Sequence, residues 1–421
     1  MNFIKTPVKG MPEQMPQDMI LREYALRKIK DTYKKFGFML IDTPIIEHIE
    51  NLTNKQGGEN EQLIFKIMKR GEKLTKSDSV ENLCDSGLRY DLTVPLARFY
   101  ANNRDNLPIP FKSLQIGESF RADKPQKGRF RQFTQCDIDI LGDNSILAEV
   151  ELISATANML NELGVSELKV RINDRRILKA MALSCGFEQG CLEQVYIILD
   201  KMDKIGLYGV RNSLLEHGFD EKGVEKYCGM FVDLSCNCSC KDFVGNKFQG
   251  YLAEEVVDNL NEIINITSNI VNKDCQIVFD PTLVRGMSYY TGPIFEIELK
   301  NYHASVAGGG RYDKMIGKYS SQEVCACGFS IGFERIISVI KDNNLLPIGE
   351  IEQDEKIVVL MAKDLNKEKA KKTMERANEL RKRGKIIMIL PRSSNVKYQK
   401  ENLSNCGFKK FVEIFNDKGE L

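Results

Sequence analysis

Residues 120–142, FRADKPQKGRFRQFTQCDIDILG, limit the possible folds of this chain more than any other stretch. The segment SLQIGESF, which ends at Phe120, is predicted to be a strand. The segment RQFTQCDIDILG, at the end of the stretch, is predicted to be another. The polar loop DKPQKGRF lies between these strands and is punctuated by Pro125 and Gly128. Because a short loop can join antiparallel strands whereas parallel strands need a long crossover, the stretch predicts an antiparallel hairpin. It also gathers five cations in a chain whose formal net charge is only +1.

Length and composition are those of an ordinary globular protein. The chain has 421 residues, of which 42% are hydrophobic and 28% charged, so two or three domains are expected. No apolar run reaches the roughly 18–20 residues that span a bilayer, and the first residues lack the apolar core of a signal peptide. Twelve cysteines without a regular framework are typical of a reducing compartment. We therefore expect a cytoplasmic protein with no membrane partner.

Several common kinds of site are not predicted. The chain has three histidines, and none has the spacing of a zinc ligand set. Neither a Walker A loop nor a Rossmann fingerprint is present. Cys236, Cys238 and Cys240 crowd together in LSCNCSC, but their spacing is not Cys-x-x-Cys. We predict free thiols there and no metal site, and leave a metal or redox role open.

The order of strands and helices predicts an α+β fold with two domains. Residues 1–345 form the larger domain, which contains a mostly helical insertion at about 174–272. In the tail, KIVVLMA, a helix at 365–383 and KIIMIL predict a right-handed parallel β-α-β unit. This unit places a small α/β domain at 352–421. Residues 351–421 carry 17 basic and 11 acidic side chains, a local charge of +6.

Four arginines stand in surroundings that suit phosphate binding. Arg121 and Arg131 flank the hairpin loop, Arg285 lies in LVRGMSYYTG, and Arg335 ends GFSIGFER at the start of a helix. A guanidinium stays charged and offers paired donors to a phosphate. The glycines of VAGGGRYD let a ligand or a neighbouring strand approach the backbone closely. Taken alone, the hairpin fits a solvated charged surface better than a site. The other segments change that balance.

Together these segments resemble the class II aminoacyl-tRNA synthetases, and among them the histidyl-tRNA synthetase family. GFMLIDTPIIE resembles the first class motif, whose proline corresponds to Pro44 and which builds a dimer interface. SFRADKPQKGRFRQF and GFSIGFERI resemble the second and third motifs, and LVRGMSYYTG and GGGRYD resemble two signatures of the histidine enzymes. The likeness covers residues 1–345 and is looser in the tail. It implies a class II antiparallel sheet core and a homodimer.

The resemblance also implies an ATP site. In the family the arginine corresponding to Arg121 grips the α-phosphate, and those corresponding to Arg131 and Arg335 handle the outer phosphates, which Mg²⁺ bridges. Phe133 would stack under adenine with Arg335 on its other face. Asp123 stands where many members have a glutamate near the adenine amino group. The intervening loop would face the acceptor end of tRNA, through Lys124, Gln126, Lys127 and Arg129.

A histidine site is implied in the same way. Asp91, Thr93 and Gln135 would receive the ammonium, while Asp139 and Tyr290 would hold the imidazole nitrogens. Arg285 and Arg121 are the implied catalytic residues, because they place cations beside the substrate carboxylate and the α-phosphate. The full set predicted to bind histidine is Asp91, Thr93, Gln135, Asp139, Arg285, Tyr289 and Tyr290. Alternation puts residues 135, 137 and 139 on one strand face, and Asp137 is assigned a structural role.

The implied activity is a ligase that joins L-histidine to ATP as histidyl-adenylate and transfers it to the 3′ end of histidine tRNA. The main alternative is a non-ligating relative that senses histidine, such as the regulatory subunit of ATP phosphoribosyltransferase. A further alternative is an RNA-binding module without catalysis. The four arginines favour the ligase, because a regulator does not need an ATP site.

Two departures from the family pattern leave questions open. Met287 and Ser288 stand where Leu-Asp is usual, and the lost carboxylate affects how Arg285 and the tyrosines are oriented. The tail looks short for an anticodon-binding domain, so anticodon reading stays open. Whether the chain is a cell's main synthetase or a second copy also stays open.

Overall fold

The computed structural model of the chain describes residues 3–53, 60–75, 79, 81–126, 128–232, 238–285, 289–299, 305–320, 322–346 and 356–421. The chain divides into two compact units. The first comprises Met1–Pro12 and Lys28–Ile340, and the second comprises Glu13–Arg27 and Lys341–Leu421. No helix in these ranges is both long and apolar enough to cross a membrane.

An eight-stranded, mostly antiparallel sheet forms the core of the first unit. In pairing order its strands are β1 (Met39–Ile41), β5 (Phe111–Phe120), β6 (Gln132–Leu141), β11 (Ala326–Gly332), β10 (Ser305–Arg311), β9 (Pro293–Leu299), β7 (Leu168–Asp174) and β8 (Gln276–Phe279). The outermost pairs at both edges, β1 with β5 and β7 with β8, are parallel. A small antiparallel sheet is made of β2 (Ile46–His48), β4 (Cys84–Leu88) and β3 (Lys66–Met68).

The predicted hairpin is confirmed as the pair β5–β6. Its strands are antiparallel over their whole length, with Gln115 opposite Asp137 and Ser113 opposite Asp139. On its other side β6 pairs with β11, which places Gly328 opposite Asp139. Since side chains alternate along a strand, positions 135, 137 and 139 share one face of the sheet.

Helices Leu147–Glu162 and Glu254–Ile270 contact this sheet, and the helices of the insertion follow β7 in the chain. In chain order, the helices described up to residue 342 are Pro16–Lys35, whose residues are divided between the two units, Ile49–Thr53, Glu72–Thr75, Thr93–Asn103, Leu147–Glu162, Arg175–Ser184, Leu192–Leu199, Met202–Glu216, Glu221–Gly229, Cys240–Val244, Glu254–Ile270 and Phe333–Asp342. Helix Thr93–Asn103 buries Leu96 and Tyr100 in a cluster with Phe111 of β5. This apolar anchor fixes the start of the helix beside the hairpin.

The second unit contains the predicted parallel β-α-β arrangement. Its central strand β12 (Lys356–Met361) pairs in parallel with β13 (Ile386–Pro391) and β14 (Lys410–Ile414), and its helices include Lys367–Lys382 and Val396–Asn405. Val359 packs with Ala377 on one face of the sheet, and Val358 packs with Phe408 on the other. Because both faces are covered, this strand is an unbroken apolar run.

Candidate active site

A cavity of about 440 Å³ opens among β6, β9, β10 and β11 and the starts of two helices. Its size is that of a small-molecule site. Twelve residues that the sequence analysis selected line it: Asp91, Thr93, Arg121, Asp123, Arg129, Phe133, Gln135, Asp139, Arg285, Tyr289, Tyr290 and Arg335. Side chains that are far apart in the chain are therefore brought together around one space.

Three carboxyl residues, Asp91, Asp137 and Asp139, lie in this cavity with the amide of Gln135. We call these four residues the acidic group of the cavity. All four are 3–6% exposed. Gln135 donates its Nε2 to Ser330 Oγ at 2.9 Å, which orients its Oε1. Three of their oxygens, Gln135 Oε1, Asp137 Oδ1 and Asp139 Oδ2, are buried without a hydrogen-bond partner among the described residues. Buried polar atoms normally have partners, so these three acceptors suit a ligand that brings N–H donors.

Room for Asp139 is made by a glycine. A Cβ atom at Gly328 would lie 1.9 Å from Asp139 Oδ1. The same oxygen accepts a hydrogen bond from the Tyr312 hydroxyl at 2.6 Å. The ring of Tyr312 packs edge-on against Tyr289, which in turn contacts Tyr290. The carboxylate is thus fixed on one side by a phenol and left open on the other.

Burial raises the pKa values of these carboxyl groups. It raises the pKa of Asp139 to about 7, and it also raises the pKa of Asp91. The pKa of Asp137 lies well above its usual range, because the group is buried and the Asp139 charge is close by. A cationic ligand would reverse these shifts, because an adjacent positive charge favours ionised carboxylates. The acidic group is therefore suited to a positively charged donor such as an ammonium group or a protonated imidazole.

We call Arg121, Arg129, Arg285 and Arg335 the arginine group of the cavity. Arg121 donates from Nε to Tyr90 O at 3.1 Å, and its guanidinium covers the Tyr90 ring at 4.2 Å. Arg335 donates to a backbone oxygen, that of Ser305. Burial lowers the pKa of Arg335, and so do the charges of Arg129, Arg285 and Arg121. Four cations that influence one another across a cavity create a strong local attraction for a polyanion.

Arg285 reaches the cavity over a glycine strand. A Cβ atom at Gly308 would lie 2.3 Å from its Cζ, so no other residue fits beneath the guanidinium without displacing it. Its Nη1 pairs with Glu296, and its Nε is buried without a partner among the described residues. The spare N–H is available to an acceptor such as a carboxylate or phosphate oxygen.

Arg131 and two of the loop residues lie differently from the rest. Arg131 does not line the cavity: its Nε donates to Asp123 O at 3.1 Å, and its backbone N–H donates to Gly10 O at 2.7 Å. Lys124 and Gln126 are exposed on the loop and also lie outside the cavity lining. Lys127 falls outside the described residues, as do Met287 and Ser288.

The face of Phe133 is occupied by an unexpected neighbour. The family resemblance implies an adenine between Phe133 and Arg335. In the structure the guanidinium of Arg121 covers the Phe133 ring at 5.0 Å, and Arg129 forms an ion pair with Asp123 at 2.9 Å. The stacking of adenine stays a prediction, and it would require Arg121 to move or the base to use the opposite ring face.

Several residues of the site were not predicted from the sequence. Tyr312, Glu296 and Asp200 line the cavity, and so does Asp137, to which the sequence analysis gave a structural role. Tyr312 follows the three glycines in GGGRYD, so its place in that segment was an available signal. Glu296 and Asp200 had no such signal, because only the fold brings them near Arg285.

Metal ligands of the usual kinds do not cluster in the described part of the chain. No group of three or more His, Cys, Asp or Glu side chains there is arranged to hold an ion. Cys240 is buried at the start of its helix, and Cys238 just before it is partly buried. Cys236 lies outside the described residues, so the role of the cysteine cluster remains a prediction.

Comparison with known proteins identifies relatives of the chain. The family model described as "Histidyl-tRNA synthetase" matches residues 10–336. The chain is 39% identical to a histidine--tRNA ligase of Leifsonia xyli subsp. xyli over 427 residues, covering 98% of this chain and 96% of that protein. It is 44% identical over 349 residues to a probable histidine--tRNA ligase of Tropheryma whipplei, covering 80% of each.

Solved structures share the fold. A histidyl-tRNA synthetase from Nostoc sp. PCC 7120 superposes with a TM-score of 0.76 at 24% identity, covering 98% of this chain and 92% of that one. An ATP phosphoribosyltransferase regulatory subunit/histidyl-tRNA synthetase from Bacillus halodurans C also gives 0.76, at 18% identity and covering 98% and 99%. At such identities the likeness shows the fold alone, which is the α+β fold with a class II antiparallel sheet core. From the family match and the sequence relatives, the chain belongs to the histidyl-tRNA synthetase family.

Proposed function

We propose that this protein is a histidine--tRNA ligase. It activates L-histidine with ATP to histidyl-adenylate and transfers the histidyl group to the 3′ end of histidine tRNA. The single observation that carries the proposal is one cavity that holds both an acidic group with spare acceptors and an arginine group. The first suits a cationic amino acid, and the second suits a triphosphate.

Histidine binds at the acidic group. Its ammonium is received by Asp91, Thr93 and Gln135, and its imidazole nitrogens are held by Asp139 and Tyr290. Tyr289 supports this wall through its contact with the Tyr290 ring. A site that pairs a polar side chain rejects analogues without it by large factors, because the buried protein groups would be left without partners.

ATP binds at the arginine group. Arg121 holds the α-phosphate, and Arg335 holds the outer phosphates. Arg131 joins them only if it leaves its present contact with the Asp123 backbone. Adenine lies against Phe133, and Asp123 receives its amino group once the pair with Arg129 opens.

Mg²⁺ fits this site as an ion carried by ATP. It commonly binds substrate phosphates and water with one or two carboxylates, so a cage of protein ligands is not needed. Glu334 lines the cavity on the same helix as Arg335 and is the carboxylate we assign to it. The bound ion supplies charge neutralisation at the outer phosphates.

Activation needs no protein base. The histidine carboxylate is ionised near neutral pH, so its oxygen attacks the α-phosphorus directly while the bond to the bridging oxygen breaks and pyrophosphate leaves. Arg285 and Arg121 position the reactants and stabilise the charge that builds on the phosphate oxygens. A terminal tRNA hydroxyl then attacks the carbonyl carbon of the mixed anhydride, and AMP departs.

Partners follow from the surroundings of the cavity. The exposed loop with Lys124, Gln126, Lys127 and Arg129 contacts the acceptor end of tRNA, and the domain at 352–421 adds attraction through its +6 charge. A second copy of the chain docks on the segment around Pro44, where Met39 and Leu40 are 40% and 48% exposed at the sheet edge. The pair works in the cytoplasm, with residues 1–345 as its catalytic domain and 174–272 as an insertion in that domain.

Histidine-dependent exchange of label between pyrophosphate and ATP tests the proposal. The purified protein should catalyse exchange that requires both histidine and ATP. Histidine binding without exchange would instead indicate a sensing relative, and RNA binding with neither would indicate a binding module. Charging of a histidine tRNA transcript then tests whether the tail is sufficient for tRNA recognition.

A further inference from the structure

Glu296 lies between two arginines. One of its oxygens, Oε2, pairs with Arg285 Nη1, and the other, Oε1, lies 3.8 Å from Arg171 Nη1. Glu296 is on β9 and Arg171 is its direct partner on the neighbouring strand β7. The glutamate therefore connects the cavity arginine to a second, deeper arginine.

Arg171 is held far more firmly than a surface arginine. Its side chain is only 7% exposed. Its Nε donates to Asp280 at 2.6 Å, and its Nη1 donates to Glu298 at 2.5 Å and to Asp203 at 3.3 Å. Thr282 accepts from Nη2 at 3.2 Å. With donors engaged on all three nitrogens, the guanidinium has little freedom to shift.

Asp280, which pairs with Arg171, is itself held by hydrogen bonds. Asp280 Oδ1 accepts from the backbone N–H of Thr282 at 2.9 Å and from its hydroxyl at 2.6 Å. Arg171 lowers the pKa of Asp280 although burial acts in the opposite direction. Arg171 is thus a rigid, permanently charged support for Glu296 inside the sheet.

The segment that carries Arg285 supplies no carboxylate of its own. LVRGMSYYTG contains no acidic residue, and Ser288 stands where a carboxylate was expected. Below the guanidinium lies Gly308, which has no side chain to hold it. The carboxylate beside Arg285 comes instead from Glu296, which is 15% exposed and lines the same cavity.

We propose that Glu296, supported by Arg171, is a positioning residue for the activation reaction. It holds Nη1 of Arg285 while the guanidinium lies over Gly308, on the wall of the cavity that Arg121 also lines. Without this contact the flexible arginine would bind substrate in several arrangements, and few of them would align the attack. This inference rests on the proposed ligase function, because it assigns a role within that reaction.

The test compares Glu296→Gln with Glu193→Gln in the pyrophosphate exchange assay. Both substitutions remove one carboxylate that pairs with an arginine, but Glu193 pairs with Arg175 and does not line the cavity, whereas Glu296 contacts Arg285. Glu296→Gln should lower kcat by about 10-fold to 100-fold, the range for losing a hydrogen bond to a charged group, with little change in KM for histidine or ATP. Glu193→Gln should keep kcat close to that of the parent.

A double-mutant cycle separates positioning from general damage. If Glu296 acts through Arg285, Glu296→Gln should cause almost no further loss of kcat in an Arg285→Ala background. Equal loss of kcat in the Glu296→Gln and Glu193→Gln variants, or a parent-like kcat in Glu296→Gln, would overturn the inference. Should Glu296→Gln unfold, Glu296→Asp keeps the charge but shortens the reach, and a parent-like kcat there would overturn it too. Absence of exchange in the unmodified protein would instead reject the ligase function itself.

Discussion

The acidic group and the arginine group share one cavity but are built in opposite ways. The acidic side chains are almost fully buried and keep three acceptor oxygens without partners among the described residues. The arginines are only partly buried or exposed, and each already has a protein partner: Tyr90 O for Arg121, Asp123 for Arg129, Glu296 for Arg285 and Ser305 O for Arg335. The acidic group has acceptor oxygens that only a ligand with N–H donors would satisfy. The arginine group must give up its present protein contacts before it can bind a ligand.

This difference teaches which group supplies selectivity. A buried acceptor without a partner is costly, so a ligand that satisfies it is strongly favoured over one that does not. An exposed or partly exposed arginine is stabilised by water and salt, and attracts any polyphosphate without close discrimination. We therefore expect substitutions in the acidic group to change which amino acid is used, and substitutions in the arginine group to change the rate of activation.

Arg285→Ala should give the largest effect. Removing one donor aimed at developing charge costs roughly 2–4 kcal/mol of transition-state stabilisation, so pyrophosphate exchange should fall by a factor on the order of hundreds. Steady-state exchange kinetics measure this loss, with the Arg285→Lys variant as the control that keeps the charge. Near-normal exchange in Arg285→Ala would contradict a catalytic role for the arginine group.

Asp139→Asn should act on histidine use and leave ATP use alone. The amide keeps the shape but loses the charge that holds an imidazole N–H, a change worth about 1.5–3 kcal/mol. We expect KM for histidine to rise while KM for ATP stays near its starting value. The matched control is Asp123→Asn, an acid among the arginines, which should alter KM for ATP instead. If both variants change the same KM, the two groups do not have separate ligands.

Local patterns in the sequence were sufficient for part of this site. The alternation in RQFTQCDIDILG predicted strand β6 and put Gln135 and Asp139 on one face, because a strand repeats every two residues. The parallel β-α-β unit of the tail was predicted from a different local pattern, an unbroken apolar run in its central strand. These features depend on neighbours in the chain.

Other features depend on distant contacts and could not be predicted from local patterns. The strand β7, LKVRIND, is broken by charges, and its Arg171 is buried only because acids from β8's end and β9 surround it. The sequence did not predict this strand or the role of Glu296. Arg131 was predicted to bind phosphate together with the other arginines. In the structure its backbone N–H donates to the carbonyl oxygen of Gly10, and Arg131 does not line the cavity.

Stability should respond to pH through the acidic group. The pKa of Asp139 is raised from 3.8 to about 7, so the folded protein holds this proton more tightly than the unfolded chain. The resulting stabilisation is complete below about pH 4 and is lost as the pH rises through about 7, with a slope of at most about 1.4 kcal/mol per pH unit from this group. Asp91 and Asp137 act in the same direction.

The measurement is chemical unfolding of the ligand-free protein across this range. Asp139→Asn should flatten the decline in unfolding free energy between about pH 4 and pH 7, because the amide does not titrate. Glu193→Gln serves as the control, since its carboxylate is 58% exposed and pairs with Arg175 away from the acidic group. An unchanged slope in Asp139→Asn would mean that this carboxyl is not held protonated.

The smallest effect is expected outside the cavity, at the exposed loop between the two strands. Lys124 is exposed and does not line the cavity. If it contacts one phosphate of tRNA, Lys124→Ala should weaken tRNA binding modestly and reduce the slope of log K against log salt by about 0.7–0.9. Charging of tRNA at low concentration should fall while histidine-dependent pyrophosphate exchange stays unchanged, because neither the acidic group nor the arginine group is touched.

Lys66→Ala, on the small sheet at an exposed strand position, is the control for loss of one positive charge. Equal salt slopes in the two variants would assign the loop no special contact with tRNA, and a fall in exchange for Lys124→Ala would place the loop in the activation step.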